Sequence, residues 1–200
     1  MAQTVIQAFQ VKRRLFRTIV LLIVILAAVL AGSWFLYKKL QESKAGLYDE
    51  IIYGAASKYC VDPCLLKAVI WKESAFDRNA AGGKGEIGLM QIKPDGAVTD
   101  WANSHGVPML SRGVFSDPAL NIEIGAWYLS KELRKWSSYK DVERLALCGY
   151  NAGPGNAEKW KPASVDADFK NNIKFRSTRI YVDAIIKKCE EYRKKRKEPR

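Results

Sequence analysis

The chain has 200 residues, 48% of them hydrophobic, which is enough for one ordinary domain with a hydrophobic core and argues against two domains. Its formal net charge is +12, yet positions 45–186 hold 18 Lys and Arg residues against 17 Asp and Glu residues, a balance of +1. The basic excess therefore lies at the two ends, and this distribution argues against a nucleic-acid partner.

The first element along the chain is an apolar segment. Residues 18–37 carry no charge and match the roughly 20 residues that span a bilayer, so we expect a transmembrane anchor there. A short basic cytoplasmic segment over 1–17 would precede it, and a polar linker over 38–46 would follow. Basic residues flank the segment on both sides, with a slight excess before it, which favours an N-terminus inside the cell.

A cleaved signal peptide is the alternative interpretation of this segment. Val29 and Ala31 are small enough to occupy the positions before a cleavage site. The apolar run continues past that site through Trp34, Phe35 and Leu36 and is longer than a usual signal core, so we favour an uncleaved helix. In either case the rest of the chain is exported.

The remainder of the sequence is typical of helices separated by Gly, Pro and Asn residues, with no long alternating strand pattern. We therefore expect one all-α domain over 47–190, with a groove between its helices. A basic tail over 191–200 would follow, either to contact anionic lipids or wall polymers or simply as a solvated helix end. The predicted helices span residues 47–59, 63–73, 95–105, 118–134, 141–150 and 177–192.

Glu73 has an unusual position for a carboxylate. Helical spacing places it on the same stripe as Leu66, Val69 and Ile70. Burying an unpaired charge there would cost on the order of several kcal/mol, so such a side chain is either paired or protonated near neutral pH. A protonated carboxyl makes a general acid. The alternative is a glutamate at a helix end that turns out to water.

Other residue types exclude several kinds of chemistry. His105 is the only histidine and the sequence has no Cys-x-x-Cys pair, so zinc ligands and a histidine-based nucleophile apparatus are lacking. No phosphate-binding glycine loop is present either. We therefore expect no metal and no cofactor, and carboxylates are the best acid–base candidates. The cysteines at positions 60, 64, 148 and 189 are compatible with disulfides or with buried free thiols.

Three segments carry side chains suited to a neutral, hydroxylated polymer. Met90 and Gln91 offer an apolar surface and an amide, and both follow a glycine-rich stretch. Tyr150, Asn151 and Tyr181 offer aromatic faces for sugar rings and a second amide for sugar hydroxyls. Each of these residues could instead belong to the core, and Tyr181 alone is typical of helix packing.

Short motifs follow one another in a defined order along the chain. They are Lys58-Tyr59, Val61-Asp62-Pro63, Leu65 to Ile70, Glu73-Ser74, Gly88-Leu89-Met90-Gln91, Pro94, Asp117-Pro118, Asn121-Ile122, Gly125, Tyr128-Leu129, Tyr150-Asn151-Ala152-Gly153 and Tyr181-Val182. In this order and spacing they resemble the soluble lytic transglycosylase family of peptidoglycan-cleaving domains, which is related to goose-type lysozymes. Cys60, Cys64 and the pair Cys148-Gly149 depart from the glycine and alanine residues usual in that family.

The resemblance implies a lysozyme-like α domain with a substrate groove, in which Glu73 is the catalytic acid and base. The substrate would be the glycan strand of peptidoglycan, cleaved at the β-1,4 bond between N-acetylmuramic acid and N-acetylglucosamine to give a 1,6-anhydromuramyl product. The enzyme would lie in the bacterial inner membrane with its domain on the periplasmic side. The substrate-binding residues implied are Ser74, Met90, Gln91, Tyr150, Asn151 and Tyr181.

Two other functions remain open from the sequence. A muramidase would add water and would use Glu86 or Asp77 beside Glu73 to position it, although Glu86 lies in a turn that is typical of a solvated side chain. A wall-binding or secretion-assembly accessory would keep the groove with little turnover. A single motif carboxylate favours transglycosylation, because the substrate's own C6 hydroxyl can act as the nucleophile.

Overall fold

Helices form the regular structure of residues 2–108 and 111–197, the part of the chain that this computed structural model describes. Within these residues the β-type pairings are isolated bridges around Ile87. The all-α fold class is thus confirmed. The α-helices are α1 (Ala2–Gly46), α2 (Asp49–Tyr59), α3 (Pro63–Ser74), α4 (Thr99–His105), α5 (Pro118–Lys135), α6 (Val142–Ala152), α7 (Pro154–Trp160) and α8 (Arg176–Lys197), with a π-helical turn at Pro94–Val98 and 3-10 turns at Arg112–Ser116 and Lys170–Asn172.

Helix α1 is long and apolar enough to cross a membrane. It contains an 18-residue window with a mean hydropathy of 2.8, and none of that window is buried in the structure. A signal sequence near the N-terminus would meet the same criterion, so both interpretations of this segment stay open. The helix continues beyond residue 37 to Gly46, and the segment expected as a linker is therefore helical.

Helix α3 carries Glu73, and local chemistry defines both of its ends. Asp62 caps the first turn, because its carboxylate accepts a hydrogen bond from the Cys64 N–H at 2.9 Å, and Pro63 occupies the first helical position. The helix ends where Ala75 adopts a left-handed backbone with φ of +50°. These two signals place Glu73 in the last turn.

The core forms where α3 packs against α8, where α5 packs against α2 and α6, and where α6 packs against α7 and α8. Helix α3 buries Leu66 and Val69 completely, and α8 buries Val182 and Ile185 completely. This packing brings α8, the last of the described helices, beside the helix that carries Glu73 in its last turn. The positions of the active-site candidates follow from this pairing.

The predicted helices are confirmed, with ends that coincide or differ by up to five residues, and one α-helix was not predicted. The interval 153–155 has the composition of a loop, but Pro154 opens α7 as its first helical residue. Proline suits that position because its missing N–H would have no intrahelical partner. Helix α7 then buries Ala157 and Trp160.

The cysteines are free thiols, and three of the four are buried in the core. Cys64, Cys148 and Cys189 therefore agree with the buried-thiol alternative, whereas Cys60 is exposed. Helix α8 continues through most of the expected basic tail to Lys197, and residues 198–200 lie outside the described part of the chain.

Candidate active site

Glu73 and Tyr181 meet across the interface between α3 and α8. The Tyr181 hydroxyl donates a hydrogen bond to Glu73 Oε1 at 2.6 Å, although the two residues are 108 positions apart. Tyr181 is buried, with 6% of its surface exposed, and Glu73 is half-buried beside the fully buried Ile70. The carboxyl thus points to a fixed partner and not into bulk water.

The environment of Glu73 favours its protonated form. Burial raises its pKa from 4.5 to about 7, and it outweighs the Tyr181 hydrogen bond and the Lys72 charge, which both act in the opposite direction. The charge of Glu86 adds a smaller upward contribution. At neutral pH the carboxyl can therefore both give and take a proton, as a general acid and base must.

A buried amide shapes the loop beside Glu73. Asn121 on α5 is fully buried, accepts a hydrogen bond from the Met90 N–H at 2.8 Å, and donates to the carbonyls of Ile87 at 2.9 Å and Phe115 at 2.8 Å. Gly88 has φ of +74°, and a Cβ there would press into the Asn121 amide. Asn121 is one of the quoted motif residues, but its role in organising this loop is not evident from sequence.

Two hydrogen bonds to main-chain carbonyls of this loop hold it in place. The Ser74 hydroxyl lies 2.8 Å from the Leu89 carbonyl, and the Tyr150 hydroxyl donates to the Met90 carbonyl at 2.8 Å. The expectation that the Met90 side chain lines the groove is corrected here. That side chain is fully buried against Gly125, where a Cβ would overlap it. Met90 therefore contributes to the site through its backbone.

A cavity of about 340 Å³ lies beside this loop. It brings together Gln91, Tyr150 and Asn151, three of the residues predicted to bind substrate, while Glu73 is not part of its lining. Burial raises the pKa of Tyr150 well above its usual value, and the Glu73 charge raises it further. The lining consists of Lys84, Glu86, Gln91, Ile92, Lys93, Gly96, Ala97, Tyr128, Tyr150, Asn151, Ala152 and Gly153.

The two amides of the cavity are held by hydrogen bonds. Gln91 has φ of +46°, and its Nε2 donates to the carbonyls of Ala80 at 3.0 Å and Gly88 at 2.9 Å. Asn151 Oδ1 accepts from the Thr178 hydroxyl on α8 at 2.9 Å. Fixed amides lose little entropy when they bind a ligand, which suits a preformed site.

Glu86 lines the cavity, which the turn composition did not predict. Partial burial is the largest single contribution and raises its pKa, but backbone hydrogen bonds, including one from the Lys84 N–H at 2.9 Å, and the charges of Lys93 and Lys84 together outweigh it, so its pKa is lowered overall. The site therefore contains two carboxyl groups whose pKa values are shifted in opposite directions. In the described residues no group of three or more His, Cys, Asp and Glu side chains is placed to hold a metal.

The all-α domain thus places a glutamate in the last turn of a helix, hydrogen-bonded to a tyrosine, and its fold is that of lysozyme-like SLT domains. The chain belongs to the transglycosylase SLT domain family, whose model matches residues 50–173. The family that the motifs resemble is thus confirmed. Thr178 and Tyr181 lie beyond the matched range.

Comparison with known proteins gives the same result. The chain is 35% identical over 123 residues to membrane-bound lytic murein transglycosylase E of Buchnera aphidicola, covering 59% of this chain and 55% of that protein. It is 30% identical over 164 residues to the soluble lytic murein transglycosylase of Escherichia coli K12, covering 80% of this chain and 24% of that protein. The chain thus spans between a quarter and about half of these relatives.

Among solved structures, the chain is similar to an inactive glutamate-to-glutamine mutant of the lytic transglycosylase Slt from Pseudomonas aeruginosa. The TM-score is 0.65 at 28% identity, and the similarity covers 76% of this chain and 24% of that one.

Proposed function

We propose that this protein is a membrane-anchored peptidoglycan lytic transglycosylase in which Glu73 is the general acid and base. The observation that carries the proposal is the half-buried Glu73 carboxyl, with a pKa of about 7, hydrogen-bonded to Tyr181 in a domain of the SLT family. Relatives named lytic murein transglycosylases support the activity, and a glutamate-to-glutamine mutant described as inactive supports a catalytic glutamate.

The reaction proceeds in two proton transfers. Protonated Glu73 gives its proton to the oxygen of the β-1,4 bond between N-acetylmuramic acid and N-acetylglucosamine, and the C1–O bond breaks. The Glu73 carboxylate then takes the proton of the muramyl C6 hydroxyl while O6 bonds to C1. The product is a 1,6-anhydro ring, Glu73 regains its proton, and no water is consumed. A tethered hydroxyl has an effective molarity that can reach about 10⁵ M or more.

The surrounding residues divide into three groups. Gln91, Tyr150 and Asn151 line the cavity and would contact the glycan strand. Ser74 and the Met90 backbone position the loop that carries Gln91. Tyr181 keeps the Glu73 carboxyl in one orientation.

The apolar part of α1 supports the proposed anchoring. We propose that residues 18–37 cross the inner membrane, with residues 1–17 in the cytoplasm and the domain on the periplasmic side, where peptidoglycan lies. The hydropathy of α1 and the membrane-bound Buchnera relative support this arrangement. Basic residues flank both ends of the apolar segment, with a small excess on the N-terminal side.

A hydrolytic muramidase is a second candidate, favoured by one observation. Glu86 lines the cavity with a lowered pKa and acts on the pKa of Glu73, so a charged carboxylate is available to activate water. Glu86→Gln separates the two reactions. It should reduce a hydrolytic rate by about 10²-fold or more and leave transglycosylation within a few-fold.

Digestion of purified peptidoglycan followed by mass spectrometry tests the proposal. We expect products that each lack one water relative to hydrolysis products, and we expect Glu73→Gln to release about 10²- to 10⁴-fold less product. Hydrated products alone would establish the muramidase. Binding to cell walls without any release of product would indicate the accessory role.

A further inference from the structure

A line of aromatic rings leads away from the cavity. Trp101, His105, Trp127, Tyr128 and Tyr150, here called the aromatic track, form consecutive ring contacts. Their centroids are separated by 4.8 Å from Trp101 to His105, 5.9 Å from His105 to Trp127, 6.4 Å from Trp127 to Tyr128 and 5.7 Å from Tyr128 to Tyr150. Tyr128 and Tyr150 line the cavity, so the track begins in the candidate active site.

The outer part of the track is open to solvent. His105 is exposed, and Trp101 and Trp127 are half-buried. Two other tryptophans behave differently, since Trp136 and Trp160 are only 2% and 6% exposed and belong to the core. Core packing therefore accounts for the second pair and for the inner side of Trp101, but it does not account for the exposed surface of Trp101 and Trp127.

Polar groups border these rings. Asp100 and Lys131 form an ion pair at 2.8 Å, with 44% and 47% of their side chains exposed, and the Lys131 ammonium lies 5.6 Å from the Trp127 ring centroid. His105 Nδ1 lies 2.8 Å from the Trp101 carbonyl, which can only accept a hydrogen bond. The neutral His105 ring therefore carries its proton on Nδ1, and Nε2 is an acceptor.

Aromatic faces next to hydrogen-bonding groups suit sugar rings, which are apolar on one face and carry hydroxyls at their edges. The cavity of about 340 Å³ lies at the small end of ligand pockets, so a polymer bound in it must continue outside. We infer that the aromatic track binds the part of the glycan strand that leaves the cavity. This inference rests on the proposed function and names a second contact region for the same substrate.

Binding of glycan strands of different length tests the inference. Full-length protein in detergent, carrying Glu73→Gln so that strands stay intact, is titrated with soluble strands of two disaccharides and of ten or more. We expect the long strand to bind more tightly, and Trp127→Leu to weaken its binding by about threefold to tenfold while the short strand is unaffected. His105→Ala, a change at an exposed position, should act in the same direction. Tyr53→Leu, at an exposed ring on α2 with 49% exposure, is the matched control and should change neither affinity.

The outcomes separate this inference from the proposed function. A length preference that survives both Trp127→Leu and His105→Ala, or the lack of any length preference, would overturn the aromatic track as a binding surface. If the wild-type protein releases no product from peptidoglycan while the track variants still lose long-strand affinity, the proposed function fails and the binding surface stands. Circular dichroism of each variant, expected to match the parent, shows that a loss of affinity reflects the altered side chain.

Discussion

At Glu73, burial acts against the ionised form, while the Tyr181 hydroxyl and the Lys72 charge act for it. The net result is a carboxyl that keeps its proton up to about pH 7, whereas the unfolded chain would lose it near 4.5. Because the folded pKa is raised, this group contributes most to the stability of the fold at acid pH, and that contribution is lost as the pH rises through 7. The property that suits Glu73 to proton transfer thus costs stability at neutral and alkaline pH.

Glu73→Gln should therefore stabilise the protein while removing its activity. At pH 8 we expect the free energy of unfolding to increase by about 2–3 kcal/mol. At pH 4 we expect little change, because the wild-type Glu73 carboxyl is then mostly neutral in the folded and in the unfolded chain. Urea unfolding of full-length protein in detergent at the two pH values measures the difference. Glu86→Gln is the control, and it should instead lower the free energy of unfolding at pH 8, because the pKa of Glu86 is lowered in the folded protein. Equal stability of Glu73→Gln and wild type at pH 8 would contradict the assigned pKa shift.

Tyr181 offers a test of the hydrogen bond itself. Its hydroxyl favours the charged form of Glu73, so Tyr181→Phe should raise the pKa of Glu73 further and move the alkaline fall of the rate to higher pH, by up to about one unit. The pH profile of kcat on purified peptidoglycan gives the result. Tyr150→Phe, which loses a hydrogen bond to the Met90 carbonyl, should leave this fall in place. A fall at the same pH in wild type and Tyr181→Phe would argue against Glu73 as the titrating group.

At the scale of single elements, the end of α2 explains one departure from the family pattern. Cys60 caps this helix with a left-handed backbone, φ of +54°, at a position where the family usually has glycine. A side chain in this region is disfavoured by steric contact between its Cβ and the following carbonyl. The chain therefore carries a local strain that glycine would relieve.

Cys60→Gly should accordingly raise the free energy of unfolding by about 0.5–1 kcal/mol, because the relief of strain exceeds the added entropy of the unfolded chain. Cys60→Ala keeps a Cβ and should give no gain, which makes it the matched control. Chemical denaturation of the three proteins measures the effect. A gain of the same size in the alanine variant would point to the thiol and not to the backbone.

The interface between α5 and α6 explains a second departure. Gly149 lies against the buried carboxylate of Glu132, and a Cβ at position 149 would overlap that group. Gly149→Ala should therefore lower the free energy of unfolding by about 1–3 kcal/mol. Glu132→Ala makes room, so the double variant should be more stable than the sum of the two single effects. Strict additivity in this double-mutant cycle would show that the two positions are not coupled.

At the scale of the whole molecule, charge and apolar surface are unevenly distributed. The domain is close to neutral between positions 45 and 186, and the basic residues concentrate around the apolar segment and in α8. Some of the basic residues of α8 form ion pairs within the domain. Arg193 pairs with Asp62 at 2.6 Å and with Glu143 at 2.5 Å. These pairs tie α8, which carries Tyr181, to the first turns of α3 and α6.

The proposed anchor predicts that the full chain stays in the membrane fraction. In the native host we expect the protein to keep the apolar segment 18–37, without cleavage near residue 32, and to resist extraction with carbonate. Protease added to the outside of spheroplasts should digest the domain, and a cytoplasmic protein serves as the control for intact membranes. A mature form that starts near residue 32 would instead establish the signal peptide.

The sequence by itself determined what depends on neighbours along the chain. Helical periods, the Asp62-Pro63 and Asp117-Pro118 starts and the apolar run of α1 gave the all-α class, and the helix ends came within a few residues. The stripe of Leu66, Val69 and Ile70 gave the burial of Glu73, because side chains three and four residues apart share one helix face. Helix α7 was the exception, since Gly153 and Gly155 gave its sequence the composition of a loop.

Only the tertiary structure decided which distant side chains meet. It paired Tyr181 with Glu73, it turned the Met90 side chain into the core against Gly125, and it placed Glu86 in the cavity wall. These results depend on how α8, α5 and the loop after α3 pack in space. They also depend on which side chains fit against each other, and side-chain volume, not spacing along the sequence, decides that. A pattern along one helix can show that a face is buried, but the partner it meets belongs to another element.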